Sequence, residues 1–534
     1  MPAVTPPAAA VASAWAPLRI SVFRVLWLAQ LASLVGTWMQ TVGAQWLLVD
    51  DPAASTLVAL VQTANMTPVF FLALPAGVFA DVFDRRRLLI GVQVASMVVA
   101  GGLAALTSAG LTTPALLLAF TFLLGCGMTL TMPAWQALIP ELVPRSQLPA
   151  ASALGGISLN LARAVGPAVA GLLIATVDVA AVFALNALSF GFLALALATW
   201  RRKPAEPDDL PEGFGSALRA GGRYIRHSLV VRRILLRSLV FVVPGTVVWA
   251  LLALIASRSL GLGPGGYGLL LAALGVGAVA GAFTLPHLRD RTSTNGIVLL
   301  ASLVYAASLV VVALVDNTAV ATAALFAAGA AWLAVMASLN ATMQLFLPGW
   351  VRARGLSTYQ IVFVGGQGLA ALGWGLLAQR FGLATAFLVA AALMLAGAVT
   401  LRWWPLRDTE GLDRDPAMYW PEPHLDFEPE PDDGPVLVTV SYRVSPEHEP
   451  RFLEAMEVVR RSRQRTGAAR WDLYRDGADR HHFVETFVVR SWAEHLRQHG
   501  ERLTGADQEF EERANALAEG PPEVQHLFSV RART

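Results

Sequence analysis

Long apolar runs, broken by short clusters of arginine, fill roughly the first 400 residues of the chain. A run of about 18 or more apolar residues can cross a hydrocarbon core of about 30 Å as a helix. The pattern therefore predicts twelve transmembrane helices, in two sets of six. They lie near Val22–Val49, Ser55–Ala80, Leu88–Ala109, Pro114–Gln136, Leu148–Thr176 and Val179–Trp200, and then near Leu235–Ser257, Tyr267–Leu288, Gly296–Val315, Thr318–Leu347, Gly355–Arg380 and Leu383–Trp404.

The two sets of spans resemble each other. Gln136-Ala-Leu-Ile-Pro140 is echoed 208 residues later by Gln344-Leu-Phe-Leu-Pro348, and each segment precedes an arginine-bearing turn. Parallel repeats of this kind indicate two helical bundles with a binding cavity between them. The predicted domains are a disordered tail at 1–20, a bundle at 21–200, a central loop at 201–234 and a second bundle at 235–404.

Composition supports the membrane class. The chain is 55% hydrophobic and only 15% charged, and its mean hydropathy is +0.54, whereas a soluble globular chain is about 25% charged. The net charge of +2 comes without a basic block, so no nucleic-acid partner is expected. The lipid bilayer is the expected partner, and the single cysteine excludes a disulfide framework.

Arginines near the span ends predict the orientation. They fall on alternate connections, and only Arg258 and Arg380 lie on the opposite face. Basic residues are retained on the cytoplasmic side, so both termini and the central loop are predicted to be cytoplasmic. The expected location is the bacterial inner membrane, as a multi-pass protein.

The last part of the chain changes character. An acidic, proline-rich linker is predicted over 405–435, and a soluble domain over 436–534. Alternating apolar residues and helical stretches give the order β-α-β-β-α-β in that domain. This order predicts a small α+β ferredoxin-like fold.

One turn of the first half carries a recognisable motif: Gly77, then Asp81 four residues on, then Arg85 and Arg86. Here the sequence resembles the major facilitator superfamily, although Asp84 stands where the family has a glycine. The resemblance implies the twelve-helix fold of that superfamily and a gating latch at Gly77, Asp81, Arg85 and Arg86. Gly77 is expected to permit close helix contact.

The fifth span reads Asn160-Leu-Ala-Arg163-Ala-Val-Gly166-Pro167-Ala-Val-Ala-Gly171. Gly166, Pro167 and Gly171 resemble a motif of exporters in the superfamily, where a hinge for alternating access is implied. Arg163 lies well inside the span, where an arginine costs about 3 kcal/mol and usually faces a cavity.

Polar side chains within the spans outline a candidate substrate cavity. Gln40, Asn65, Asn160, Arg163 and Gln344 are the predicted cavity residues. Amides interleaved with tryptophans suit a bulky, uncharged or weakly cationic amphipathic molecule better than a sugar phosphate or a dicarboxylate, which would need several arginines. Tryptophans expected at the cavity are Trp38, Trp46, Trp135 and Trp332.

The membrane region as a whole resembles the superfamily branch with macrolide efflux pumps and enterobactin-type exporters. The C-terminal stretch resembles the extension of proteins known as transmembrane secretion effectors, which is similar to antibiotic-biosynthesis monooxygenase domains. That resemblance implies pairing as a homodimer. His495 and His499 have helical metal-pair spacing, but no third ligand is evident in the sequence, so surface histidines, no metal, no cofactor and no catalysis are expected.

The sequence favours a secondary active exporter of drugs or siderophores, with protons as the coupling ion. The acids near the spans (Asp50, Asp51, Glu141, Asp178 and Asp316) are predicted to be ordinary solvated end residues, so none is assigned to coupling. A facilitator-type importer stays open as an alternative. A membrane-tethered enzyme or sensor acting through the C-terminal domain stays open as another.

Overall fold

Twelve helical spans in the described chain are long and apolar enough to cross a membrane. The computed structural model describes residues 15–200, 214–407, 417 and 425–530. The first half holds α1 (Ser21–Leu47), α2 (Ala54–Met66), α3 (Pro68–Val82), α4 (Arg85–Ser108), α5 (Pro114–Leu142), α6 (Leu148–Thr176) and α7 (Val179–Thr199). Next come α8 (Phe214–His227), α9 (Leu229–Leu254), α10 (Pro264–Arg289), α11 (Thr294–Leu314), α12 (Thr318–Phe346), α13 (Gly349–Phe381) and α14 (Leu383–Val399). The predicted number of spans is confirmed.

Helices α2 and α3 belong to one span that is interrupted at Thr67. Pro68, the first residue of α3, has no N–H to donate and disfavours a helical residue before it. The Thr67 hydroxyl donates to the carbonyl oxygen of Thr63 at 2.7 Å. A side-chain hydrogen bond is thus formed at the point where proline removes one of the backbone hydrogen bonds of the helix.

Two helices extend further than hydropathy predicts. Helix α5 continues past Gln136 and Pro140 to Leu142, because neighbouring helices in a membrane bundle tolerate proline. Helix α13 begins at Gly349, so the segment predicted as an arginine-bearing loop before Gly355 is its first turns. The predicted central loop at 201–234 likewise contains α8 and the start of α9.

The described residues form two compact units. The first takes the described residues up to 207, together with 237–338 and 360–405. The second takes the described residues of 208–236, 339–359 and 406–534. These units cut the chain differently from the predicted domain boundaries, which stay a prediction.

The first unit is a bundle of close-packed helices. Helix α4 packs on α7, α1 packs on α6 and α7, and α11 packs on α14. Phe23, Leu26, Leu89 and Leu193 lie in one buried cluster of the first half. Burial of each such side chain stabilises the bundle where helix faces helix, while the outward residues stay apolar.

The second unit contains the α+β domain, whose sheet has the order β2-β3-β1-β4 with every pairing antiparallel. Val438 on the central strand β1 opposes Phe487 on β3 and His526 on β4. The helices cover one face, so the predicted ferredoxin-like fold is confirmed. The elements are β1 (Val436–Arg443), α15 (Glu449–Thr466), β2 (Arg470–Arg475), β3 (His482–Val489), α16 (Trp492–Arg497), α17 (Gly505–Asn515) and β4 (Glu523–Phe528).

Candidate transport site between the two halves

Arg163 of α6 lies against two indole rings that also contact each other, with ring centres 5.6 Å apart. Its guanidinium carbon is 5.4 Å from the centre of the Trp38 ring on α1 and 5.7 Å from the Trp249 ring on α9. Both distances suit cation–π attraction. The Arg163 Nε atom is buried and has no hydrogen-bond partner within the described residues. The predicted Arg163 and Trp38 therefore meet at a site shared by both halves, and Trp249 joins them unpredicted.

Next to this site, the Gln45 amide connects α1 to two helices of the second half. Its Nε2 donates to the carbonyl oxygen of Trp249 at 2.9 Å. The Tyr267 hydroxyl donates to Gln45 Oε1, and the Tyr267 ring stacks on Trp46 with centres 6.1 Å apart. Both ends of a buried amide are thus satisfied across the interface, which removes the cost of burying it.

Aromatic rings of the second half surround Trp332 of α12. The Trp332 ring centre lies 5.7 Å from Phe241, 5.9 Å from Trp249, 6.0 Å from Tyr305 and 6.2 Å from Phe363. Rings at 4.5–7 Å attract each other in tilted arrangements. The sequence predicted Trp332 alone. Its partners stand in uniformly apolar runs, where no spacing separates a cavity ring from a lipid-facing one.

The Gly-Pro-Gly segment of α6 forms a tight seam with α10. A Cβ atom added to Gly171 would lie 2.7 Å from the carbonyl oxygen of Pro264, and one added to Gly268 would lie 2.6 Å from that of Pro167. A Cβ on Gly166 would lie 2.9 Å from a backbone oxygen of α1. Only glycine lets these backbones approach so closely. The structure thus brings together three predicted residues and adds Gly268.

The halves also meet elsewhere along their interface. The Thr63 hydroxyl of α2 donates to the carbonyl oxygen of Gly368 on α13 at 2.8 Å. Arg258, after α9, donates to the carbonyl oxygen of Val49, after α1, at 3.2 Å. Contact therefore extends to the end of the bundle that carries the α1–α2 and α9–α10 turns.

A cavity of about 50 Å³ lies within the first half, and polar and apolar side chains line it together. Gln40 and Asn65 both line it, with Gln30, Gln93 and Asn186. Asn186 Nδ2 donates to Gln40 Oε1 at 3.2 Å, and a water molecule needs only about 10–15 Å³ of such space. Two predicted cavity residues are therefore together, but inside one bundle and apart from Arg163.

The other two predicted cavity residues lie elsewhere. Asn160 Nδ2 donates to the carbonyl oxygen of Gly156 at 3.0 Å, within its own helix. Gln344 is exposed, and its Nε2 donates to Asn340 Oδ1 one turn away on α12. Neither bond reaches the Arg163 site.

The arginines after α3 tie helix ends together. Asp84 caps α4, because its Oδ1 accepts from the backbone N–H of Arg87 at 2.8 Å. Arg85 pairs with Glu141 of α5 at 2.9 Å, and the Glu141 side chain is 11% exposed. Arg86 donates to two carbonyl oxygens at the end of α7, at 2.8 and 2.6 Å. Glu141 is therefore an ion-pair partner, and its prediction as a solvated residue was wrong.

The motif before these arginines is described only in part. Asp81 lies in α3, but its side chain is outside the described part of the structure. A Cβ on Gly77 would meet no described atom within 4 Å. The close helix contact expected at Gly77 is therefore not found among the described residues, and the latch role of both residues stays a prediction.

A buried ionic network occupies the interior of the C-terminal domain. Arg463 contacts Glu485 at 3.2 Å and Glu511 at 2.6 Å. Glu485 also accepts from the Tyr442 hydroxyl at 3.0 Å and from Trp471 Nε1 at 2.8 Å. Burial, with the nearby Glu485 carboxylate, raises the pKa of Tyr442 well above its ordinary value. These side chains are held by one another between sheet and helices.

Three histidines gather beside Trp492, where the sequence suggested a surface pair. His495 is only 2% exposed, and its Nε2 is 2.9 Å from Nε2 of His526 on β4. The His499 ring centre is 4.5 Å from that of His495. Burial lowers the pKa of His495 to about 3 and that of His499 to about 2. The described residues include no group of three or more His, Cys, Asp or Glu arranged to hold a metal ion.

The twelve spans have the fold of the major facilitator superfamily. The chain resembles a bacterial homologue of the human lysosomal transporter Spinster in an inward-facing, unoccupied conformation, with TM-score 0.58 and 15% identity over 72% of this chain and 95% of that one. It also resembles the nucleoside transporter NupG, with TM-score 0.56 and 11% identity over 71% of this chain and 100% of that one. At these identities the likeness concerns the fold.

The protein belongs to the transmembrane secretion effector family, whose sequence model matches residues 12–534. It is 26% identical over 164 residues to the staphyloferrin A transporter of Staphylococcus aureus, covering 30% of this chain and 41% of that protein. It is 30% identical over 212 residues to the multidrug efflux pump Tap of Mycobacterium tuberculosis, covering 38% of this chain and 51% of that protein. The chain thus spans about half or less of the curated relatives it matches. It is a multi-pass membrane protein of the bacterial inner membrane.

Proposed function

We propose that the protein is a secondary active exporter of bulky, amphipathic small molecules, such as drugs or siderophores, that works by alternating access. The observation that carries this proposal is the Arg163 site, where a membrane-embedded cation contacts one ring from each half. A ligand bound there would contact both halves at once. Its binding would then depend on how the halves are arranged, which alternating access requires.

The side chains at the site favour a substrate with an aromatic or apolar body and a hydrogen-bond acceptor or anionic group. The indole rings of Trp38 and Trp249 offer apolar faces, while the Arg163 guanidinium offers donors that match a carboxylate or a related group. The printed names of the relatives, a siderophore transporter and a multidrug pump, are compatible with such molecules.

We infer proton antiport from the ion pair between Arg85 and Glu141. Glu141 is a carboxylate at the end of a span that pairs with a residue of the predicted latch. Its protonation would remove one of the charges that pair with Arg85 and so weaken the link between α4 and α5. Asp178, by contrast, caps α7, with its Oδ1 accepting from Ala181 N–H at 2.7 Å.

Transport by everted membrane vesicles tests the proposal. Vesicles with the full-length chain should accumulate a fluorescent amphipathic acid when a proton gradient is imposed, and an uncoupler should abolish the accumulation. Arg163→Ala should remove it. Asn160→Ala, one turn away and bonded within its own helix, is the matched control and should retain it.

Two outcomes would overturn the assignment. Gradient-dependent uptake by intact cells, with none by everted vesicles, would show the importer alternative. Wild-type transport by Arg163→Ala would remove the site. Both termini on the cytoplasmic face and pairing as a homodimer through the C-terminal domain belong to the same proposal. Terminus labelling in intact cells and the mass of the full chain in detergent test them.

A further inference from the structure

The second compact unit joins three segments that are far apart in the chain: helix α8, residues 339–359 and the α+β domain. Residues of α8 and the turn after it are buried at helical spacing, at Gly221, Tyr224 and Ser228. Helix α15 of the α+β domain packs against α8. The domain is thus in direct contact with its own chain, in addition to its covalent link.

A shared carboxylate connects α8 to the domain. Glu494 of α16 pairs with Arg223 of α8 and with Arg502, which donates to Glu494 Oε1 at 2.8 Å. The Glu494 and Arg223 side chains are 9% and 17% exposed. Burial favours the neutral acid, but hydrogen bonds and charges from Arg502 and Arg223 prevail and hold the pKa of Glu494 below its ordinary value. Glu494 is therefore an anion between two cations, one of them on α8.

Stacked cations and rings connect the domain to the start of α13. The Arg502 guanidinium lies 5.0 Å from the ring centre of Trp350, the second residue of that helix. Trp350 meets Tyr224 of α8 edge to face, with centres 5.6 Å apart. Arg465 of α15 lies 5.6 Å from the centre of the Tyr224 ring. Arg502 thus takes part in both contacts, one with Glu494 and one with Trp350.

We propose that the C-terminal domain is an intramolecular clamp that holds α8 and the first turn of α13 together through Arg223, Tyr224 and Trp350. Helix α8 leads directly into α9, and α13 runs without a break from Gly349 to Phe381, so each docked segment continues into a candidate span. A domain that fixes the ends of two spans biases the equilibrium between transport conformations. This inference rests on the chain being a transporter and not on the identity of its substrate.

Hydrogen exchange and transport, measured on the full-length chain in liposomes, test the clamp. Arg223→Ala and Trp350→Ala should each raise amide exchange over 214–227 and 492–502 by about tenfold, and transport turnover should fall several-fold with substrate affinity retained. The strands β1 and β3 should keep their protection, which reports that the domain is still folded. Arg226→Ala, an exposed arginine on the same helix, is the matched control and should change neither readout.

The exchange measurement does not involve a substrate, so it can fail independently of the proposed function. Unchanged exchange in Arg223→Ala and Trp350→Ala would show that these side chains do not hold the domain. Raised exchange with wild-type turnover would show a docked domain without influence on transport. Either result would overturn the clamp. Arg223→Lys, which keeps the charge but not the planar donor group, should give an intermediate change in both readouts.

Discussion

The seam between α6 and α10 gives a sharp prediction, because backbone meets backbone there. In Gly171→Ala the new methyl carbon would lie 2.7 Å from the carbonyl oxygen of Pro264 and 3.1 Å from Cα of Gly268. Ordinary contact begins at 3.4 Å, so the helices must separate by 3.4 − 2.7, or about 0.7 Å. Overpacking of this kind typically costs about 1–3 kcal/mol. A conformation without the seam avoids that cost, so the equilibrium should shift towards it by about 5–150-fold.

Cysteine labelling measures this shift. The chain has a single native cysteine, Cys126, so Leu271→Cys can be introduced into a Cys126→Ser background. Leu271 is buried on α10, about one turn from the seam. A hydrophilic maleimide should label it faster when Gly171→Ala is added, and transport turnover should fall.

The matched control is Gly156→Ala on the same helix. A Cβ atom there would meet no described atom within 4 Å, and alanine favours a helix over glycine by about 1 kcal/mol. Gly156→Ala should therefore leave both the labelling rate and the turnover of the Leu271→Cys protein unchanged. Equal labelling of the Gly171 and Gly156 variants would refute the assignment of the seam as a closed contact between the halves.

Three further predictions concern charged groups. Glu141→Gln removes the carboxylate that pairs with Arg85, so vesicle transport should lose most of its response to a pH gradient; a preserved response would exclude this carboxylate from coupling. Arg163→Lys should keep only part of the wild-type transport rate, because an ammonium cannot replace a planar guanidinium that contacts two indole rings, and full activity would reduce the residue to a structural role. The pKa values of His495 and His499, lowered by burial to about 3 and about 2, lie below the ordinary value of about 6.5, so the unfolded domain binds more protons than the folded one in acid. The contribution of the two rings to the stability of the domain is therefore complete above about pH 6.5. Below that pH it falls by about 1.4 kcal/mol per pH unit for each ring, or by roughly 4 kcal/mol for both rings at pH 5. Equal exchange protection of β1 at pH 5 and pH 7, after correction for intrinsic exchange rates, would contradict this prediction.

Much of the fold could be predicted because hydropathy reports it directly. Each of the twelve spans needs its own long apolar run, and the alternation in β1 follows from one buried face of the sheet. The errors lie at the helix ends. Helix α5 passes through Pro140 and α13 includes Arg352, since packing inside a bundle and water at its rim tolerate residues that usually mark a loop.

At the Arg163 site and the seam between α6 and α10, the sequence predicted the residues of the first half but not their partners in the second half. The motif in the fifth span identified Gly171 and Arg163, but their partners Gly268 and Trp249 come from the other half of the chain. Gly268 stands in the glycine-rich start of α10. Nothing in the local spacing of residues shows that Gly268 is the one that faces Pro167. The same holds for His526, which completes the histidine cluster from a strand 31 residues beyond His495.

The composition of the linker likewise did not predict the contact between the C-terminal domain and α8. An acidic, proline-rich tether predicts an independent domain, and the docking surface depends on Tyr224 and Trp350, which belong to different segments. Arg237 shows the same limit: its guanidinium donates to the carbonyl oxygens of Gly397 and Trp404 at the end of α14. The number and position of the arginines predict the membrane topology, whereas the hydrogen-bond partner of each arginine depends on the fold.

The two kinds of contact differ in how steeply their energy varies with distance. At the Gly171 seam backbone atoms touch, so a shift of less than 1 Å exchanges close packing for a gap, and contacts of this kind favour discrete states. The contacts around Glu494 are between charges and rings, and the attraction between two charges falls only with the inverse of their distance, so the energy changes gradually. The seam is therefore suited to define the end states of transport, and the clamp is suited to adjust the balance between them.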